Sequence, residues 1–105
     1  MKMSTIGKSA AISGEISIEE DLTIEGNFSG NRIDVKNNNL IIGPQSTVNA
    51  DLYGGTIVIM GTVKGNINAS HLVELKSTGN VAGDIAAPQI ALPKHAHFQG
   101  RLIYT

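Results

Sequence analysis

The 105-residue chain has no cysteine and no tryptophan, only two Phe and two Tyr, and only three prolines. Without cysteine there is no disulfide scaffold, no zinc–thiolate centre and no thiol nucleophile. Eight Lys and Arg against nine Asp and Glu leave a formal net charge of −1. That balance lacks the basic excess by which nucleic-acid binders neutralise phosphates. No long apolar run follows Met1-Lys2-Met3-Ser4. The expectation is therefore a cytoplasmic protein with neither a signal peptide nor a spanning helix. What the chain does have is 27 Ile, Val and Thr residues and 12 glycines, in a length that suits one small domain. So poor in aromatics, it must build its core from thin layers of β-branched side chains, with frequent corners between them.

A repeat organises those layers. An apolar residue, any residue, Gly or Ala, any residue and a second apolar residue recur as Ile12-Ser13-Gly14-Glu15-Ile16, Val48-Asn49-Ala50-Asp51-Leu52 and Val63-Lys64-Gly65-Asn66-Ile67. The pattern returns as Val81-Ala82-Gly83-Asp84-Ile85 and Phe98-Gln99-Gly100-Arg101-Leu102, with a degenerate copy at Phe28-Ser29-Gly30-Asn31-Arg32 in which Ile33 is displaced by one. Copies start 16, 20, 15, 18 and 17 residues apart. An apolar-x-apolar triplet keeps step: Leu22-Thr23-Ile24, Leu40-Ile41-Ile42, Ile57-Val58-Ile59, Val73-Glu74-Leu75 and Ile90-Ala91-Leu92. Two independent markers thus agree on a period near 17 residues, and the 20-residue step points to an insertion at Asn37-Asn38-Asn39.

Alternation of period two within each repeat predicts short strands, and no stretch sustains helical spacing. Antiparallel hairpins would reverse direction every strand and give a less uniform register. A coil with chemically equivalent laps fits better: an all-β parallel β-helix of about six laps, three short strands per lap, like residues stacked about 4.8 Å apart. Gly14, Gly30, Ala50, Gly65, Gly83 and Gly100 then stack inside or at a corner where larger side chains would crowd; alternatively they are ordinary turn glycines.

The stretch from Thr5 to Tyr104 resembles the bactofilins. The likeness rests on Thr5-Ile6-Gly7-Lys8-Ser9, Glu25-Gly26, Ile42-Gly43-Pro44 with Val48 and Ala50, and Gly61-x-Val63-x-Gly65-Asn66-Ile67. Val73-Glu74-Leu75, Gly79-x-Val81-x-Gly83-Asp84-Ile85 and Phe98-x-Gly100 complete it. The resemblance implies a right-handed helix over 5–105, behind a short tail at 1–4. It also implies a bacterial cytoskeletal protein that polymerises end to end without nucleotide. By the same resemblance the filaments are expected to be non-polar, joined head to head and tail to tail, as family members are, often at the inner face of the cytoplasmic membrane. They scaffold cell shape or localise partner proteins. Family members commonly carry disordered tails on both sides; here about four residues precede the first lap and the last runs to Thr105.

A solenoid end offers unpaired backbone groups and an apolar cross-section, and capping segments usually cover it. Neither terminal lap reads as a cap, so ends are expected to bury ends, with the chain itself as partner. Phe98 stands where three middle laps place Val48, Val63 and Val81. It is either an interface anchor, as the matching aromatic is in the family, or a plug over the core. Leu102 and Tyr104 accompany it, and Ile6, Ile12 and Ile16 face the opposite joint. Acids crowd the first laps (Glu15, Glu19, Glu20, Asp21, Glu25), whereas Lys94, His95, His97 and Arg101 crowd the last. Taken alone, that asymmetry favours head-to-tail joining, against the family pattern. Met1, Lys2 and Met3 form either a weak membrane contact, multiplied by polymerisation, or a frayed terminus.

Catalytic chemistry is not expected. His95 and His97 have a spacing usable for a metal, but His71 lies at another phase of its lap, so solvated histidines and no metal are predicted. Gly7-Lys8-Ser9 lacks the preceding glycine and following helix of a phosphate loop, so no nucleotide or other cofactor is expected. The alternative function is a left-handed hexapeptide-repeat enzyme, a trimeric acyltransferase or carbonic anhydrase-like protein. Its strict six-residue period is absent here.

Overall fold

The computed structural model describes residues 3–6, 11–94 and 97–105, with side chains described from residue 15 onward. These residues form strands β1 (Met3–Ile6), β2 (Ala11–Ser17), β3 (Asp21–Ile24), β4 (Asn27–Asp34), β5 (Asn39–Ile42), β6 (Thr47–Ile59) and β7 (Thr62–Lys64). They continue with β8 (Ile67–Leu75), β9 (Asn80–Ala82), β10 (Ile85–Ala87), β11 (Gln89–Ala91), β12 (His97–Gln99) and β13 (Leu102–Tyr104). Among the described residues no helix is long and apolar enough to cross a membrane.

Among the described residues every strand pairing is parallel, which removes the hairpin alternative. The chain is a β-solenoid with three faces. The first face aligns Leu22, Leu40, Ile57, Val73 and Ile90. On the second, Ile12, Phe28, Val48, Val63, Val81 and Phe98 are in register. The third aligns Ile16, Ile33, Leu52, Ile67, Ile85 and Leu102. Both sequence markers therefore become vertical columns: the triplets stack five high on the first face, and the five-residue motifs stack six high, with five steps of pairing, on the second and third. The first strand opens at Met3, two residues before the boundary expected at Thr5.

The inward columns close into one aliphatic core. Ile24, Ile33, Leu40, Leu52, Ile57 and Ile67 are fully buried, each worth about 1.5–3 kcal/mol against solvent exposure. Phe28 fits the same column as the valines because it lies deep inside, with rungs on both sides. Five steps of about 4.8 Å give a height near 24 Å, in line with Cα extents of 30 × 24 × 23 Å. A single subunit is about as tall as it is wide, so its two ends are a large part of its surface.

The small-residue column lies at the corner between the second and third faces. Gly65, Gly83 and Gly100 have φ of 152°, 143° and 148°, a region closed to most L side chains. A Cβ on Gly83 would stand 2.1 Å from the Gly65 carbonyl oxygen. These glycines also end strands: β7, β9 and β12 each stop just before one. Ala50 and Gly30 instead lie within continuous β6 and β4, so the early laps are bent strands rather than three separate ones. The degenerate second lap carries a bulge at Asn31, where register shifts between Ser29 and Arg32.

The 20-residue step is not a single insertion at Asn37-Asn38-Asn39. Its extra length is spread over the Asn31 bulge and two four-residue corners, 35–38 and 43–46. In the 15-residue step the equivalent corners are the two-residue turns 54–55 and 60–61. Asn39 itself belongs to β5, and its N–H donates to the largely buried Asp21 carboxylate at 2.8 Å. The turn is held instead at Lys36 (φ 59°), whose N–H donates to Asp34 at 2.9 Å.

Candidate assembly interface

At each end of the coil the pairing stops. β11, β12 and β13 pair only downward, with β8, β9 and β10, so the C-terminal rung leaves three parallel strand edges open. At the other end, among the described residues, β1 and β2 pair only with β3 and β4. Open edges over an apolar cross-section are a template for another chain.

Burial follows the same logic. Phe98 sits over Val81, Leu102 over Ile85 and Ile90 over Val73, yet each is only half-buried while the residue beneath is almost fully covered. The columns are the same; the missing cover is a further rung. Among the described residues the large exposed apolar side chains are Leu92 (41%), Ile103 (41%) and Tyr104 (63%), all in the last rung. Tyr104 is in register with the buried Ala87, so it ends a core column, yet no further rung covers it.

Phe98, Leu102 and Tyr104 thus lie together on one end. Leu92 and Ile103 extend the surface. Leu92 occupies the last position of a triplet whose counterparts Ile24, Ile42, Ile59 and Leu75 are buried, so the pattern alone reads as core. At the opposite end Ile16 is half-buried against Ile33, with Ile18 beside it. Ile6 and Ile12 contribute backbone pairs to Ile24 and Phe28; their side chains lie outside the described residues. Met1, Lys2, the Met3 side chain, Gly7, Lys8, Ser9 and His95 lie outside them as well. His71 is on β8 and His97 on β12, and among the described residues no three His, Asp or Glu converge into a metal-binding group.

One ladder was not legible as a motif. At the glycine corner Asp51 accepts from the Asn66 N–H (3.0 Å), Asn66 from the Asp84 N–H (3.3 Å), and Asp84 from the Arg101 N–H (3.2 Å). Each Asp or Asn carries the rung above it, at a position the repeat left unspecified. A signal was present: Asp or Asn directly follows the small residue in Asp51, Asn66 and Asp84. Arg101 ends the ladder, its guanidinium turned back on Asp84 at 2.9 Å. Glu15, in the same column at the other end, is paired with Arg32 at 3.0 Å.

The Arg101 guanidinium holds the Asp84 carboxyl below its ordinary value of 3.8, and Asp84 raises Arg101 in return. A depressed carboxylate pKa contributes stability above the unfolded value and loses it as pH falls through the folded one. The last rung is therefore expected to loosen below about pH 4. Asp84→Asn should keep the Arg101 amide protected from hydrogen exchange, as Asn66 does for the rung below, while removing this acid sensitivity. Asp84→Ala should lose both.

A family model described as bactofilin, polymer-forming cytoskeletal, matches residues 4–103. Bactofilin BacO of Myxococcus xanthus is 42% identical over 102 residues, covering 97% of this chain and 79% of that protein. Bactofilin BacP of the same organism is 37% identical over 97 residues, 92% of this chain and 40% of its own length. Among solved structures, the cryo-EM reconstruction of Thermus thermophilus bactofilin double helical filaments superposes with a TM-score of 0.87 at 20% identity, covering 97% of this chain and 99% of that one. That last likeness is one of fold.

Proposed function

Since the chain belongs to the bactofilin family of polymer-forming cytoskeletal proteins, we propose that it grows end to end, without nucleotide, into non-polar filaments. These would serve as a cytoplasmic scaffold, supporting cell shape or localising partner proteins at the inner membrane face. One observation carries the reading: among the described residues the large exposed apolar side chains gather on the rung whose three strand edges are open. Apposing two such ends buries Phe98, Leu102 and Tyr104 of both copies and pairs their edges, an isologous joint. The opposite ends join through the rung of Ile6, Ile12 and Ile16.

The charge asymmetry between the ends does not favour the polar alternative once geometry is considered. Glu15 and Arg101, the column partners that a continued head-to-tail stack would bring together, are each already paired within the subunit. Exposed ion pairs are worth about 0–1 kcal/mol in any case, less than the burial of several apolar side chains. Met1, Lys2 and Met3 supply the segment through which a filament would touch a membrane, each contact slight and multiplied along the polymer.

Negative-stain electron microscopy of the purified chain, free of nucleotide and metal, tests the reading. Filaments a few nanometres wide are expected. Discrete trimers in their place would favour the hexapeptide-enzyme alternative.

A further inference from the structure

The second face differs from the others on its outer side. Its two outward columns run from Asn27 to His97 and from Ser29 to Gln99, and neither holds a carboxylate, although the chain has nine. The third face carries Glu15 and Asp51, and the first Glu74. In its last three rungs the second face presents Thr62, Asn80 and His97 along one side and Lys64, Ala82 and Gln99 along the other. Between them Val63, Val81 and Phe98 point into the core. Ala82 is a methyl group between two long side chains, and the dip it leaves opens a groove of about 470 Å³.

The groove holds donors and a cation with no opposing charge. Lys64 is exposed, and among the described residues no ion pair reaches it, whereas Arg32, Lys36, Lys76 and Arg101 each hold one. The carboxylates at the adjoining glycine corner do not compensate it: Asp51 accepts from the Asn66 N–H, and Asp84 is held by Arg101. Asn80 and Gln99 carry side-chain amides, which both donate and accept and so match the peptide groups of an extended chain. The Lys64 ammonium and the His97 imidazole offer N–H donors that match carboxylates.

We infer that this groove is a docking site for an extended acidic peptide segment of a partner protein, its carboxylates on Lys64 and His97 and its backbone on the Asn80 and Gln99 amides. The inference deepens the scaffold reading above and rests on it, for it names the surface through which a filament would hold a partner. The groove lies on the side of the coil and is centred on Asn80 and Ala82, one rung in from the open end, so joining ends leaves it uncovered. Its three rungs span about 10 Å at about 4.8 Å per rung. That is far below the roughly 800 Å² per partner of a stable protein interface, so a single subunit holds a short segment weakly. A filament repeats the groove at every subunit, and a partner with several such segments gains from each further contact. An anionic membrane suits it poorly, since such surfaces select clustered cations and the two outward columns hold one lysine between them.

Fluorescence anisotropy of labelled hexaglutamate, about 20 Å long when extended, tests the groove on wild type, Lys64→Gln, Ala82→Phe and a control, Lys36→Gln. Ala82→Phe fills the dip without changing charge, and its exposed, outward position leaves the core untouched; circular dichroism and melting check folding. Wild type is expected to bind hexaglutamate and not hexalysine. Losing a charge-assisted contact should weaken binding about tenfold in Lys64→Gln, and blocking the groove in Ala82→Phe should cost at least as much. Lys36→Gln, whose lysine is already paired with Asp34 on another corner, should stay within about twofold of wild type. No hexaglutamate binding by wild type, an equal loss in Lys36→Gln, or unchanged binding in both groove variants overturns the assignment. So does full displacement of the peptide by an equal concentration of inorganic phosphate, which reduces the groove to a subsite for small anions. Lys64-dependent sedimentation with phosphatidylcholine–phosphatidylglycerol vesicles, without hexaglutamate binding, moves the groove to a membrane and overturns it too. Electron microscopy of the same samples reads end-on growth separately. Hexaglutamate bound by a protein that forms no filaments supports the groove and overturns the scaffold, whereas filaments that ignore the peptide overturn the groove alone.

Discussion

Phe98→Arg is expected to abolish filaments while leaving a folded, β-rich protein. In a symmetric joint the still-exposed half of two copies of Phe98 is buried, so losing them removes about 1.5–3 kcal/mol per joint before any charge penalty is counted. That corresponds to about a ten- to hundredfold loss of joint affinity, and an arginine left in the cross-section adds the cost of burying an unpaired charge. The fold tolerates the change because Phe98 has a neighbouring rung on one side only and is half-buried in the free subunit. Sedimentation then reads polarity directly. If joints alternate head to head and tail to tail, the N-terminal joint survives and the variant runs as a dimer of 11.0 kDa chains. If joints were head to tail, every joint contains one mutated end and the variant is monomeric. Phe98→Leu should still polymerise. Filaments of normal length in Phe98→Arg would place the joint elsewhere.

Gly83→Ala carries the second large effect, on stability rather than assembly. Its φ of 143° costs an alanine about 1–3 kcal/mol. The new Cβ would meet the Gly65 carbonyl oxygen at 2.1 Å, which is backbone and has no rotamer to yield. Relief requires the two rungs to part, loosening the bonds from the Gly65 N–H to the Ala82 carbonyl and from the Ile67 N–H to that of Asp84. Each is worth about 1 kcal/mol net. Together the loss is about 3 kcal/mol or more, a fall in melting temperature on the order of 15 °C for a domain of this size. Ala50→Gly in the same column is the control. Alanine is native there and its φ is not positive, so the cost is about 0.5–1 kcal/mol of chain entropy. If thermal melting shows equal effects for the two, the corner is not set by backbone crowding.

Both variants were identifiable as positions from the repeat, but for different reasons. Phe98 is legible because like stacks on like: Val48, Val63 and Val81 define the column that it closes, and it differs from Phe28 in the same column by standing in the last copy of the repeat. Gly83 is legible as a small residue, yet the sequence left open whether it lined the interior, formed a corner or merely turned the chain. The choice depends on the sign of φ and on how near the next rung's carbonyl comes, and neither is a property of one lap.

The sequence by itself determined the period, the strands, their parallel stacking and the columns of the core. Each of these follows from alternation within a lap and from repetition between laps, which are read along the chain. Tertiary structure decided what depends on contact between laps or on where the stack stops. Asp51, Asn66 and Asp84 become a ladder only when each carboxylate or amide meets the amide of the rung above. Leu92 repeats a buried position and is nonetheless exposed, because burial is conferred by the rung that follows and in the single subunit none does.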